Sequence, residues 1–80
     1  MKIKIPCNVF WNTMIDKVRE FYGDKTMHIK DMTELLINYM GLKYIETDEV
    51  FDENSKYIGV FIFEVINKMQ FFLIRIKYGI

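Results

Sequence analysis

Alanine is missing from this 80-residue chain, and cysteine, histidine, proline and serine occur once each. The lone Cys7 excludes an intramolecular disulfide, which suits a reducing, intracellular compartment. One Cys and one His cannot supply the three or four ligands of a zinc site. The phosphate-cradling patterns G-x-G-x-x-G and Walker A are both absent. Long apolar runs are absent too. The most apolar window, residues 57–76, is interrupted by Glu64, Asn67, Lys68, Gln70 and Arg75, which argues against a membrane span of roughly 20 apolar residues. The opening stretch MKIKIPC lacks an apolar signal-peptide core, so a cytoplasmic protein is expected.

What remains is rich in apolar and aromatic residues, at 51% and 16% of the chain. That composition points to a folded single domain, residues 1–80. A chain this short buries only about 60–65% of its unfolded surface, so a second copy or a partner is the remaining way to bury the excess. Phe, Tyr, Met, Ile, Asn and Lys fill 44 of the 80 positions. These six have AT-rich codons, which suggests a low-GC genome; phages and mobile elements fit, as do many cellular genomes.

Lys2–Pro6 alternates charge and isoleucine and reads as a short strand. Asn8 is a candidate N-cap for a helix over 9–22, in which Trp11, Met14, Ile15, Val18, Phe21 and Tyr22 keep helical spacing and Gly23 supplies the stop. Asp31 with Glu34 suggests a capping box for a second helix at 32–40, with Met32, Leu35, Leu36, Tyr39 and Met40 as its buried stripe. After Gly41 the period changes from 3.6 to 2. Residues 42–51 and 56–66 are expected as strands joined by a turn at 52–55. Asn67 and Lys68 are expected to turn into a third strand at 69–78. The expected fold class is α+β, with two helices packed on one face of a mainly antiparallel sheet in the order β-α-α-β-β-β.

A turn at 52–55 sets Lys43 opposite Glu64. With a turn at 67–68 it places Leu42, Tyr44, Val50, Tyr57, Phe61, Phe63, Val65, Phe72, Ile74 and Ile76 on the helix-facing side, with Glu46 and Asp48, and Glu49 on the other. That second face would carry Ile45, Ile58, Val60, Ile62, Phe71 and Leu73 among charges, a pattern suited to an oligomer interface. A slip of one residue would exchange the faces.

Candidates for chemistry are few. Cys7 precedes a helix start, where the dipole lowers a thiol pKa, and His28 is the one available base; the competing expectation is a small buried Cys and a loop His. Ser55, in a turn, is a weaker nucleophile candidate. The acidic run ETDEVFDENS at 46–55 departs from the EF-hand pattern, because Val50 stands where an oxygen ligand is needed and no glycine follows. No cofactor or metal and no enzymatic activity is expected.

Formal charge is zero overall but segregated: +3 over residues 1–30, −6 over 31–55 and +3 over 56–80. A helix pair before a hairpin is compatible with a winged DNA-binding domain, yet the would-be recognition helix at 32–40 has Glu34, no Lys or Arg, and only Asn38 to read bases. The acidic run has two readings. It is a solvated tip that keeps an edge strand from aggregating, or a recognition surface. In the second reading Glu46, Asp48, Glu49, Asp52 and Glu53 surround Phe51, as a charged rim around an apolar hot spot. The expected function is a small protein-binding module. Its sharper form is a phage or mobile-element inhibitor, of anti-CRISPR type, that blocks a basic groove of a host nucleic-acid-handling protein. A homodimeric nucleic-acid-binding regulator is the alternative.

Overall fold

Pro6 joins the first strand to the first helix without a loop. Strand β1 (Lys2–Pro6) pairs to its last residue, and helix α1 (Cys7–Tyr22) starts at the next. The computed structural model describes all residues, 1–80. Pro6 sits at the cap position with φ −54° and no side chain caps the helix; its ring fixes φ near the value both elements accept. The helix therefore begins two residues before the expected start, and Asn8 lies inside its first turn. Phe10, Met14 and Val18, four residues apart, form the buried face, and Gly23 at φ +73° closes the helix with its N–H on the Arg19 carbonyl, 2.8 Å away.

A 3-10 turn at Ile29–Asp31 leads into a π-helical segment, Glu34–Met40. This is the expected second helix, wound more widely and without a side-chain cap, since Asp31 belongs to the preceding turn. Its expected stripe holds: Met32, Leu35, Leu36 and Met40 are buried and Tyr39 is half-buried. The Leu35 amide donates to the Tyr22 hydroxyl at 3.0 Å, so a helix start without a cap is satisfied by α1. Gly41 ends the segment at φ +69°, and a Cβ there would lie 2.7 Å from the Asn67 carbonyl oxygen. Both the conformation and the close approach require glycine.

Strands β2 (Leu42–Phe51) and β3 (Tyr57–Val65) form the hairpin, and β1 adds to the far side of β3, giving an antiparallel sheet in the order β1-β3-β2. The class is α+β, as expected. Leu42, Lys43 and Tyr44 pair with Val65, Glu64 and Phe63, as the expected register has it. A β-bulge at Ile45 then shifts the pairing by one, so Glu46, Asp48 and Val50 face Ile62, Val60 and Ile58, while Glu49 faces Gly59. Directly opposed residues share a face. Glu46 and Asp48 therefore lie on the side away from the helices and Glu49 on the helix side, the reverse of the expected assignment; Val50 also changes sides. A bulge adds one residue to one strand, and that residue reverses the alternation beyond it.

The segment 69–78, expected as a strand, is helix α2 (Lys68–Tyr78). Asn67 does not form a hairpin turn; its side chain accepts from the Gln70 amide at 3.0 Å and caps the helix. The sheet therefore has three strands, not the expected four, and β1 pairs with the edge of β3 that the last segment was expected to occupy. Phe71 and Leu73, expected on the second sheet face, are thus helical, with Phe71 in the core and Leu73 exposed.

The core is a cluster of 15 residues on one side of the sheet, to which α1 gives Phe10, Met14 and Val18, β3 gives Phe61, Phe63 and Val65, and α2 gives Phe71 and Ile74. Phe63 and Phe10, both fully enclosed, lie 5.9 Å apart. Each buried phenyl contributes about 1.5–3 kcal/mol. Val60 and Ile62 are buried as well but point to the opposite face and stand outside this cluster.

The two asparagines give a direct check on the caps. Asn67→Ala should lower stability by about 1 kcal/mol, the usual loss for an N-cap, whereas Asn8→Ala should change it by less than about 0.5 kcal/mol. Urea denaturation of both variants measures the contrast.

Candidate functional site

The hairpin outruns the layer that supports it. Gly59 lies against the start of α1, since a Cβ on it would come 3.2 Å from the Cys7 sulfur. Residues 50–58 extend beyond that point. At their end Phe51 and Tyr57 are directly paired, their rings 4.2 Å apart and each 64% exposed. The ring planes are tilted by 43°; an aromatic pair gains about 0.5–1.5 kcal/mol beyond its burial, yet most of this one's surface stays in water. Phe51 is thus exposed, as the sequence suggests, and Tyr57 joins it. Tyr57 is not legible as a site residue in the sequence, because placing it opposite Phe51 needs the bulged register.

The five carboxylates differ in what they do. Asp52 is half-buried and builds the turn: its Oδ1 accepts from the amides of Asn54 and Lys56, both at 2.9 Å. The Asp52 amide donates to the Lys56 carbonyl, 2.9 Å away, and its carbonyl accepts from the Ser55 amide at 3.0 Å. Ser55 takes φ +59°, a conformation that costs a non-glycine residue energy and that this network holds in place. Asp48 accepts from the adjacent Glu49 amide at 2.8 Å. Glu46, Glu49 and Glu53 are exposed and make no hydrogen bond through their side chains. None of the five has a cation within 4.0 Å; the ion pairs of the molecule are the N-terminal ammonium with Glu64, 3.3 Å, and Lys17 with Glu20, 2.9 Å. The negative charge is therefore uncompensated locally, with Glu46 and Asp48 on one side of the hairpin and Glu49 on the other.

The sheet face away from the helices has a graded charge. Ile62 lies between Lys4 and Glu46, and Val60 between Pro6 and Asp48. A basic edge and an acidic edge thus flank the apolar middle row of Ile58, Val60 and Ile62. Val60 and Ile62 are only 3% and 8% exposed, so little apolar area remains here for a partner to cover. Ile45, at the bulge, is 39% exposed. Of the six residues expected to form one oligomer interface, Ile58, Val60 and Ile62 share this face, and Phe71 and Leu73 lie in α2.

The structure does not bring Cys7 and His28 into one groove. Burial raises the Cys7 thiol above its ordinary pKa, with a backbone hydrogen bond opposing it; desolvation outweighs the helix start that would favour a thiolate. His28 is exposed and lies beside Trp11, Met27 and Phe61 in a shallow groove of about 300 Å3 that does not include Cys7. Ser55 is committed to the hairpin turn. No group of three or more His, Cys, Asp or Glu side chains is placed to hold a metal ion. The largest groove, about 440 Å3, runs along α1 and the 23–27 loop past Trp11, Ile15 and Arg19, and is open to solvent.

A polar clasp with no sequence signature joins three helical elements. The Tyr39 and Tyr78 hydroxyls lie 2.6 Å apart, Lys77 Nζ stands 3.4 Å from the Tyr39 oxygen and Lys17 Nζ lies over the Tyr39 ring. It ties α1, the π-helical segment and α2 together. Burial pushes Tyr78 up, and the Tyr39 hydrogen bond and charge push it further, to about 12. For Tyr39 burial also acts upward, but the hydrogen bonds from Tyr78 and Lys77 and the charges of Lys17 and Lys77 bring it below the ordinary value.

Set against known proteins, the chain matches no family model, and no curated protein or solved structure is significantly similar to it.

The tyrosine clasp predicts a split titration. Tyr78, raised in the folded state, favours folding below the unfolded tyrosine pKa near 10, and that contribution fades as pH rises toward about 12. Ultraviolet titration should show one tyrosine ionising near 12, and Tyr39→Phe should move it part of the way back towards 10.

Proposed function

We propose that the protein is a non-enzymatic binding module that docks the end of its β2–β3 hairpin into a basic groove on another protein. The observation that carries this reading is the exposed Phe51–Tyr57 pair set among carboxylates without cationic partners. An aromatic anchor supplies affinity by leaving water, and a charged rim steers encounter and selects a cationic partner. Charge on both faces of the hairpin suits insertion between two basic walls better than contact with a flat surface. Glu46 and Asp48 would meet one wall and Glu49 the other, while Asp52 holds the turn.

The sharper form of the reading is a small inhibitor from a phage or mobile element, of anti-CRISPR type, whose carboxylates take phosphate positions in the groove of a host nucleic-acid-handling protein. The segregated charge and the AT-rich residue usage support it. The alternative, a homodimeric nucleic-acid-binding regulator, lacks support at its base-reading element. The would-be recognition helix is a seven-residue π-helical segment, and in the stretch 33–40 the exposed side chains are Thr33, Glu34 and Asn38.

Affinity capture from candidate host cells, followed by variants, tests the proposal. Lys substitutions at Glu46, Asp48, Glu49 and Glu53 should abolish capture while circular dichroism stays unchanged, and Phe51→Ala should weaken it by about tenfold or more. Capture should also weaken as salt is raised. Unchanged capture by the four-Lys variant rules out the hairpin as the contact. Asp52 is left out, because its substitution would disturb the turn itself.

A further inference from the structure

Helix α2 is apolar on two opposite sides. Phe71, Ile74 and Tyr78 face the molecule, with Phe71 and Ile74 in the core. Met69, Phe72, Leu73 and Ile76 follow the i, i+3, i+4, i+7 rule on the other side, at between 58% and 73% exposure. A stripe at that spacing marks a helix face meant for burial, and here nothing of the chain covers it.

We infer that this stripe is the interface of a homodimer, in which α2 packs antiparallel against α2 of a second copy. Three observations favour a second copy as the occupant. The first is symmetry. The stripe reads the same in both directions about the midpoint between Phe72 and Leu73, so an antiparallel partner sets Met69 against Ile76 and Phe72 against Leu73. A two-fold interface requires such a self-complementary patch. The second is charge. The stripe contains no polar group. Of the flanking cations, Arg75 is held by its own chain, donating from Nε to the Ile80 carbonyl at 3.1 Å with its guanidinium over Phe71, and Lys77 reaches the Tyr39 hydroxyl. Two such stripes meet without stranding a charge between them. The third is area. At these exposures the four side chains present on the order of 400–500 Å2 of apolar surface. Two copies would bury at most about 800–1,000 Å2 from these side chains alone, near the roughly 1,000 Å2 that a specific interface must clear. Ile66, 49% exposed just before the helix, adds to that area.

The interface is separate from the hairpin and does not depend on the binding proposed for it. It would leave both hairpin ends of the dimer free, and the dimer would present two of them. Its salt response is opposite in sign. Lys68, Arg75 and Lys77 give each α2 positive flanks, so screening should tighten the dimer or leave it unchanged, while salt weakens an acidic hairpin on a basic partner.

Sedimentation equilibrium of the full chain tests the inference. The expected mass rises from 9.7 kDa to twice that value at concentrations on the order of 100 μM or below, as for an interface at the small end of the specific range. Phe72→Glu and Ile76→Glu should each weaken association by about tenfold or more, with unchanged circular dichroism because both positions are exposed. A wild-type mass of 9.7 kDa at every concentration overturns the inference and leaves the stripe to a different protein. So does a folded Phe72→Glu or Ile76→Glu variant that dimerises like the wild type. If neither variant folds, the wild-type mass alone decides. A monomer that still captures its partner through the hairpin separates failure of this inference from failure of the proposed function.

Discussion

Burial of one face of β3 organises the molecule. β3 is the central strand, hydrogen-bonded on both sides, and Phe61, Phe63 and Val65 alternate onto its helix-facing side. Phe63 packs between Phe10 of α1 and Tyr44 of β2, with ring centroids 5.9 Å and 6.2 Å away. Each remaining element has a residue in the same cluster: Ile5 from β1, Leu36 from the π-helical segment and Phe71 from α2. The 80 residues build one layer of helical elements on one side of three strands. Surface is therefore left over, and where it is left decides what the protein can do.

Two devices set that leftover surface. The bulge at Ile45 rotates the outer half of β2 by one residue. It brings Thr47 to the side of Tyr44, where their hydroxyls meet at 2.7 Å, and turns Glu46 and Asp48 away from the helices. Without it Glu46 would lie on the side occupied by Tyr44. Strand alternation divides the carboxylates between the faces of the hairpin, the bulge decides which face takes which, and the Asp52 network lets the tip carry an exposed aromatic pair on an ordered turn. The second device is the confinement of the polar residues of α2 to its two flanks. Gln70 and Lys77 on one flank and Lys68 and Arg75 on the other separate two apolar sides, and a monomer can bury only one of them.

These devices also explain what the sequence reveals and what it hides. α1, the stripe from Met32 to Met40, Gly41 as a stop and the hairpin at 42–65 are legible because each has one apolar face and a matching breaker. Lys43 opposite Glu64 is recoverable from turn length. The bulge is not, since no glycine marks it, and a one-residue offset reassigns every carboxylate beyond Ile45. The misreading of 69–78 has a different cause. A helix with two opposite apolar sides shows no single apolar stripe, and the run Phe71–Ile74 then resembles a buried strand. The signal that could have decided it is Asn67 with Gln70, an N-cap followed three residues later by Gln. There the Gln70 amide takes the Asn67 side chain, and its own side chain reaches the Asn38 carbonyl. At the site, exposure of Phe51 and the acidic surround are visible in the sequence, whereas Tyr57 and the structural role of Asp52 emerge only from the register.

The central claim is that affinity for a cationic partner resides in the hairpin end and not in the open sheet face or the grooves. An amide-resolved NMR titration with a Lys- and Arg-rich peptide tests it most directly. The account predicts shift changes concentrated at residues 46–57, fading as salt is raised. Changes centred instead on the row Ile58, Val60 and Ile62 or on the groove beside Trp11, or no change at low salt, would contradict it.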